Sequence, residues 1–148
     1  MMDWNTAFTA INASVLPAWA LLIFLPRSKV TGAIVHSALY PALLGGVYLA
    51  GMVAAFAFGQ SSGGVDFTSI EGVRAIFAHP NGVIIGWTHY LVFDLFVGAW
   101  IGRDAIRHRV PHLAVIPCLI LAFMLGPVGL LLYVLLRFML RKKLMLQE

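Results

Sequence analysis

The chain has 148 residues, of which 61% are hydrophobic and 11% are charged, and its mean hydropathy is +0.91. This composition excludes a soluble globular protein and predicts an integral membrane protein with a single domain, residues 1–148. The net charge of +4 comes largely from Arg and Lys residues that flank apolar segments, which favours contact with membrane lipid headgroups over nucleic-acid binding. The one cysteine, Cys118, excludes an internal disulfide and a multi-cysteine metal site.

Four apolar stretches predict an all-α fold, a bundle of four transmembrane helices. The predicted spans are 6–25, 33–58, 82–102 and 113–136. Within the second span, Pro41 and the pair Gly45 and Gly46 predict a break near mid-membrane, where neighbouring helices can satisfy the freed backbone groups. Gly126 and Pro127 predict a similar break in the fourth span.

The longest loop, residues 59–81, contains a short amphipathic segment. Its capping pattern TSIE begins at Thr68, apolar side chains follow at helical spacing, and the segment is expected to end before Pro80. We expect it to lie on the membrane surface, where a lid over a cavity and a plain connector fit it equally well. The N-terminus has no basic region and no convincing cleavage site, so we expect no signal peptide and predict a multi-pass protein of a bacterial inner membrane.

The third span places a carboxylate, Asp94, near the centre of the membrane. From Gly82 to Gly102 the span is long enough to cross a hydrocarbon core of about 30 Å at about 1.5 Å per residue. A carboxylate there costs about 2.5–3.5 kcal/mol on insertion scales, so such groups usually face protein or water and have a function. A functional Asp94 is therefore favoured over the alternative, an aspartate that forms only a packing hydrogen bond with a neighbouring helix.

A stripe of small and polar residues follows one face of the third span. Its members are spaced by four: Gly82, Gly86, Tyr90, Asp94, Gly98 and Gly102. Small residues let helix backbones approach closely, so the stripe is expected to face other helices. We expect Gly86 to contact Gly45 and Gly46 of the second span. We predict that Gly98 and Gly102 lie at a possible homodimer contact.

Two polar levels follow from the depth of each residue in its span, at about 1.5 Å per residue. Tyr40 and Asp94 lie about 10–12 Å below the side that carries the short loops. Asn12 and His89 lie about 9–10 Å from the opposite side. The polar groups are therefore expected to act at two depths of one elongated apolar cavity.

The positions of the histidines argue against a haem or a metal ion. His36 and His89 are about 15 Å apart along the membrane normal, far more than the roughly 4 Å between two axial nitrogens of one haem iron. His89 and Asp94 point about 140° apart on their helix, so they do not form a metal site together. His89 instead shares a helical face with aromatic residues, Phe93, Phe96 and Trp100.

Membrane orientation is undetermined by the sequence. With four spans, the basic residues divide into two equal sets, Arg27, Lys29, Arg103, Arg107 and Arg109 on one side and Arg74, Arg137, Arg141, Lys142 and Lys143 on the other. The positive-inside rule weighs residues near the span ends, and both sets qualify. The rule therefore favours neither orientation.

Two stretches carry a resemblance to a known family. WTHYLVFDLFVGAWIGRDA, from Trp87, and LAFMLGPVGLLLYVL, from Leu121, resemble the ABA4 family, whose plant members are plastid proteins required for neoxanthin synthesis from violaxanthin. The family's third-span pattern of Trp, His and Asp-Leu-Phe falls on Trp87, His89 and Asp94 with the two residues after it. A Cys-Pro-Val-Gly-like break in the family is similar to Gly126–Gly129, although no cysteine precedes Pro127 here. The chain has no transit-peptide-like extension, so the resemblance does not by itself imply a plastid location or the plant substrate.

The resemblance implies a carotenoid isomerase that needs no cofactor. Converting a violaxanthin-type epoxide to an allenic alcohol requires one proton delivered to the epoxide oxygen and one removed from the adjacent polyene carbon, with no net redox change. A carboxyl in hydrocarbon keeps its proton and can act as a general acid, and a neutral histidine is a natural base. We therefore predict Asp94 and Tyr40 as the acid side and His89 as the base. The residues predicted to contact the substrate are Asn12, His36, Trp87, Tyr90, Phe93, Phe96 and Trp100.

Two other functions fit the same pattern. A non-catalytic subunit that binds a carotenoid or another long apolar lipid would use the same aromatic residues without acid and base. A small transporter is a weaker fit, because four spans provide little alternating-access machinery unless the protein dimerises through the glycine stripe.

Overall fold

The computed structural model describes residues 3–142, which contain only α-helices and no strand. The helices are α1 (Trp4–Phe24), α2 (Lys29–Ile34), α3 (Leu39–Ala57), α4 (Ile70–Ile76), α5 (Pro80–Arg107), α6 (His112–Leu125) and α7 (Pro127–Arg141). The predicted all-α fold is confirmed. By length and composition, three stretches of the described chain are able to cross a membrane: Trp4–Phe24, Lys29–Ala57 and Pro80–Arg107.

The first and third predicted spans agree with helices of the structure. α1 covers 21 residues and contains Pro17. α5 covers 28 residues and begins at Pro80, a residue suited to the first helical position because its missing N–H has no partner there. At about 1.5 Å per residue α5 is about 42 Å long, so it extends beyond a hydrocarbon core of about 30 Å.

The second predicted span is interrupted at a different place from the one expected. The interruption lies between α2 and α3, after Val35, and not at Gly45 and Gly46. Both glycines lie inside α3, where a Cβ on either would meet nothing within 4 Å. Pro41 is in the first turn of α3, where no intrahelical donor is lost. The predicted contact of Gly86 with these glycines is therefore wrong.

The loop helix α4 begins one residue later than its capping pattern suggested. Ser69, and not Thr68, is the N-cap, and its hydroxyl accepts a hydrogen bond from the backbone N–H of Gly72 at 3.0 Å. Asp66 holds this turn by accepting from the backbone N–H of Thr68 at 2.9 Å and from the Ser69 hydroxyl at 2.8 Å. These bonds, the one from the Thr68 N–H foremost, lower the pKa of the Asp66 carboxyl because they favour its charged form.

The fourth predicted span is not one crossing helix. The chain turns at Gly126, whose φ of 37° is a left-handed conformation that suits glycine, and Pro127 then starts α7. A Cβ on Gly129 would collide with the backbone of Ala122 and Cys118. In a straight helix Gly129 and Ala122 would be about 10.5 Å apart, so this close approach shows that α7 folds back along α6. Helices of 14 and 15 residues thus form a hairpin in place of the predicted span 113–136.

The chain packs as two compact units. Within residues 3–142, unit 1 comprises 3–15 together with Leu39–Val92, and unit 2 comprises Leu16–Ala38 together with 93–142. Unit 1 contains α3, α4 and the first halves of α1 and α5. Unit 2 contains α2, the hairpin of α6 and α7, and the second halves of α1 and α5.

Glycines of the stripe on α5 pack within their own units. In unit 1, a Cβ on Gly86 would lie 3.1 Å or less from the ring of Phe77. In unit 2, a Cβ on Gly98 would lie 2.5 Å from the indole of Trp19, and one on Gly102 would lie 3.3 Å from Leu22. Contacts within one chain therefore account for the small size of these residues. The homodimer through Gly98 and Gly102 stays a prediction.

The hairpin redistributes the basic residues of the chain. Among residues 3–142, every Lys and Arg residue except Arg74 belongs to unit 2, and Lys143 lies outside the described residues. Arg141 donates to the carbonyl of Arg109, and His112 donates through Nε2 to the carbonyl of Ile23 at 2.8 Å. The end of α7, the α5–α6 connection and the end of α1 therefore meet at one end of unit 2, here called the basic end. The even division expected for four spans is wrong, and the positive-inside rule now predicts that the basic end faces the cytoplasm.

The hairpin predicts that the start of α6 and the end of α7 lie on the same side of the membrane. In a Cys118→Ala background, we expect Arg107→Cys and Lys142→Cys each to react with a membrane-impermeant maleimide from the same side of sealed vesicles, because α7 returns to the end at which α6 begins. A straight fourth span would place these two positions on opposite sides. Labelling after detergent permeabilisation measures the intrinsic reactivity of each cysteine, and labelling of the two from opposite sides of intact vesicles would contradict the hairpin.

Candidate functional site

Unit 1 brings several predicted site residues together around Trp87. The indole Nε1 of Trp87 donates to Oδ1 of Asn12 at 2.9 Å, and its ring lies 5.7 Å from the ring of Phe8. Tyr90 follows one turn later, with its ring 6.4 Å from that of Trp87. Asn12 also donates to the carbonyl of Phe8 at 2.8 Å, which fixes the orientation of its amide. Asn12 is thus held as an acceptor for the indole, inside an aromatic group on α1 and α5.

His89 belongs to the same aromatic group of unit 1. Its ring lies 6.1 Å from Tyr48 on α3 and 6.3 Å from Tyr90, edge to face in the second case. Tyr40, the other unit 1 residue with a predicted catalytic role, donates its hydroxyl hydrogen to the carbonyl of Ser14 at 2.9 Å. That bond ties α3 to α1 and occupies the proton of the hydroxyl. Tyr40 therefore has a structural partner in this unit.

In unit 2, Asp94 lies against the tip of the hairpin. Its carboxylate occupies the space where a side chain on Gly126 would project, so Gly126 is required both for the turn and for the approach of the carboxylate. Among residues 3–142 both ion pairs go to another carboxylate, that of Asp104, and none goes to Asp94. Asp94 is half-buried. The predicted carboxylate thus stands beside an interrupted helix with no cation paired to it in the described chain.

The remaining predicted substrate contacts of unit 2 have different surroundings. Phe93 and Phe96 on α5 are 56% and 55% exposed, as expected for side chains that face lipid or a lipid-like ligand. Trp100 faces inward, with its ring 5.7 Å from that of Tyr133 on α7. His36 lies in the α2–α3 break, with its Nδ1 atom 3.4 Å from Nη1 of Arg103.

The structure reveals a buried charged cluster that the sequence reasoning missed. Arg137 on α7 is 0% exposed and Asp104 on α5 is 5% exposed. Nη1 of Arg137 donates to both oxygens of Asp104, at 2.8 and 2.9 Å, and the hydroxyl of Tyr133 donates to the same carboxylate. The indole of Trp100 stacks on Arg137, with the guanidinium carbon 5.8 Å from the ring centroid. His108 completes the cluster, its Nε2 lying 3.5 Å from Asp104.

This cluster fixes the hairpin to α5. Asp104 is charge-paired and accepts hydrogen bonds from α7, so its role is to position that helix. From the sequence, Arg137 is expected to contact lipid headgroups because it follows an apolar run. One signal was available, since Tyr133 and Arg137 are four residues apart and share a helical face. Its partner could not be identified, because the sequence does not show that α7 folds back.

The histidines outside the predicted site also have structural partners. His112 is bonded to Ile23, and His79 accepts through Nδ1 from the backbone N–H of Asn81 at 3.1 Å. Asn81 is 3% exposed and donates to the carbonyls of Gly51 and Gln60, at 2.9 and 3.0 Å. Within residues 3–142 no group of three or more His, Cys, Asp or Glu side chains is arranged to hold a metal ion.

The helices and their apolar surfaces define a small multi-span membrane protein with one unpaired and one paired carboxylate on its longest helix. Its sequence matches the ABA DEFICIENT 4-like family over residues 6–133. The chain therefore belongs to the ABA4-like family, which confirms the resemblance carried by the third span and the Gly126–Gly129 break. No match was found among curated proteins or among solved structures.

Proposed function

We propose that this protein is a membrane carotenoid isomerase of the kind associated with neoxanthin synthesis, and that Asp94 is its general acid. Membership of the ABA4-like family supports the substrate class. The observation that carries the assignment is the position of the Asp94 carboxyl, which lies against the Gly126 turn with no cation paired to it among residues 3–142. A group held in this way is able to keep a transferable proton.

The proposed reaction opens an epoxide on the end ring of a carotenoid. Asp94 donates its proton to the epoxide oxygen as the carbon–oxygen bond breaks, and a base removes a proton from the adjacent polyene carbon as the new double bond of the allene forms. The base predicted from the sequence is His89, which belongs to unit 1, whereas Asp94 belongs to unit 2. One proton is given and one is taken, so the substrate and the product are isomers and no redox cofactor is needed.

The hairpin supports the role of Asp94 in a second way. A helix that crossed the membrane without interruption would present only side chains to α5. The turn at Gly126 instead places backbone beside the carboxyl, and any larger residue at that position would fill the space that Asp94 occupies. The position of the Asp94 carboxyl in unit 2 therefore depends on the turn at Gly126.

A second candidate function is binding of a carotenoid or another long apolar lipid without conversion. The exposed rings of Phe93 and Phe96 favour it, because aromatic side chains on an outward helix face suit contact with an extended apolar chain. In this case the protein would present pigment to another enzyme, and Asp94 would serve only in packing.

Expression in cells that make a defined epoxide carotenoid separates the two functions. Chromatography of extracted pigments is expected to show a new species with the mass of the epoxide and a different retention time, absent from cells with the empty vector. If the epoxide instead copurifies with the protein and stays unchanged, conversion is refuted and the binding function is favoured. If it is neither converted nor bound, both functions are refuted for that substrate.

A further inference from the structure

Arg103 and His36 form a pair at the basic end of unit 2 that can only donate hydrogen bonds. Nη1 of Arg103 lies 3.4 Å from Nδ1 of His36. A guanidinium has no acceptor, so Nδ1 must be the accepting nitrogen of a neutral imidazole and the ring proton resides on Nε2. The pair therefore presents an N–H of the imidazole and the remaining N–H groups of the guanidinium.

These donors have few partners in the described chain. Nε2 of His36 is buried, and no hydrogen-bond acceptor reaches it among residues 3–142. The two ion pairs seen among residues 3–142 both involve Asp104, whose partners are Arg137 and His108. Arg103 therefore forms no ion pair with a carboxylate among these residues. Burying the imidazole donor without a partner is costly, whereas Arg103 is only partly buried and keeps guanidinium N–H groups for a ligand. The arrangement therefore suits a ligand that brings several oxygen acceptors and a negative charge.

The location of the pair identifies the kind of ligand. Arg103 lies four residues, about 6 Å, before the end of α5 and directly after the predicted span 82–102. The basic end also carries Arg27, Lys29 and Arg109, and the positive-inside rule assigns it to the cytoplasmic leaflet. That leaflet is rich in anionic lipids, whose phosphates lie at the depth of such a residue.

Gly102 allows the imidazole to approach α5. A Cβ at this position would lie 3.7 Å from Cε1 of His36 and 3.3 Å from Leu22. The ring of His36 therefore packs directly over the backbone of α5, beside Arg103. This packing fixes the direction of Nε2 and makes the pair a defined site within the more diffuse charge of the basic end.

We propose that Arg103 binds the phosphate of an anionic phospholipid through its guanidinium, with the buried His36 imidazole beside it as the residue that positions it. The lipid is held at the basic end and is distinct from the substrate of Asp94. Binding of this kind would anchor α5, α2 and the α2–α3 break to the cytoplasmic leaflet.

The test uses the full chain in detergent, after exchange into mixed micelles that contain phosphatidylglycerol and phosphatidylcholine. Native mass spectrometry is expected to show a retained phosphatidylglycerol adduct on the wild-type protein. Arg103→Gln should weaken retention by about tenfold or more, because charge-assisted hydrogen bonds to phosphate are among the stronger ones. His36→Leu, which keeps the cation, should weaken it less but measurably.

Arg27→Gln is the matched control, since it removes the same charge from an exposed position of the same unit. Equal loss of the adduct in Arg27→Gln and Arg103→Gln would overturn the proposal in favour of diffuse attraction. Displacement of the lipid by millimolar inorganic phosphate would overturn the assignment to a lipid and indicate a site for the free anion. The thermal midpoint of each variant is measured in parallel. If Arg103→Gln fails to fold, wild-type retention of phosphatidylglycerol by His36→Leu would itself refute the site.

Discussion

Replacing Arg137 with leucine is expected to destabilise the folded protein by about 3–5 kcal/mol, a large part of the roughly 5–15 kcal/mol by which a typical domain is stable. The side chain is 0% exposed and both of its close contacts to Asp104 are hydrogen bonds to a carboxylate. Without the guanidinium, Asp104 would be left as a buried charge, and its remaining partners among residues 3–142 would be Tyr133 and His108. The loss should appear as a lower thermal midpoint of the detergent-solubilised protein.

A double variant, Asp104→Leu with Arg137→Leu, separates the charge from the packing. Replacing both members of a buried ion pair by apolar residues is often close to neutral, so the double variant should recover much of the lost stability. Arg27→Leu is the control for loss of an exposed arginine in the same unit and should shift the midpoint little. If the double variant is as unstable as the single one, the cluster acts through its shape and not through an unpaired charge.

The cluster shows where sequence reasoning succeeded and where it failed. Apolar length and helical spacing predicted α1 and α5 well, because a helix that crosses a membrane must satisfy its own backbone and is therefore visible in the sequence. The stretch 113–136 has the total length and hydropathy of one span. Gly126 and Pro127 predict a break within it but not the angle of that break. A break can bend a helix slightly or reverse it, and the choice depends on tertiary contacts such as those of Gly129 with Ala122.

The error in the span had consequences for charge. If α7 were part of a crossing helix, Arg137 and Arg141 would lie on the side opposite Arg103, and the positive-inside rule would favour neither orientation. Once α7 folds back, Arg137 finds Asp104 and Arg141 finds the carbonyl of Arg109. A local sequence pattern does not contain this pairing, because Asp104 and Arg137 are 33 residues apart.

The sequence predicts a candidate site residue most directly where the reason is local. Asp94 is such a candidate, because a carboxylate in the middle of an apolar helix is costly wherever its partners lie. Depth alone also placed Asn12 near His89, and the structure includes both in one aromatic group through Trp87 and Tyr90. The proposed role of Tyr40 depended on a level shared with Asp94, whereas its hydroxyl is bonded to Ser14. The depth of a residue in its span does not specify the direction in which its side chain points, and that direction decides the partner of a hydroxyl.

The two carboxylates of α5 therefore offer a paired comparison. Asp104 is held by an arginine and a tyrosine, and its function is positional. Asp94 has no such partners in the described chain and lies beside the hairpin turn. Substituting each aspartate by asparagine should separate a residue needed for folding from one needed for chemistry.

Asp94→Asn is expected to leave the protein folded and inserted in the membrane but to reduce pigment conversion by about 100-fold or more, the range over which general acids contribute. Asparagine keeps the size of the side chain and can form a hydrogen bond, but it has no transferable proton. Chromatography of pigments from cells expressing the variant measures conversion, and immunoblotting of membranes with the thermal midpoint of purified protein measures folding. Asp104→Asn is the matched control on the same helix. It should lower the thermal midpoint, because its ion pair with Arg137 is broken. Full conversion by Asp94→Asn, or failure of that variant to accumulate, would show that Asp94 is a packing residue and would refute its role as the acid.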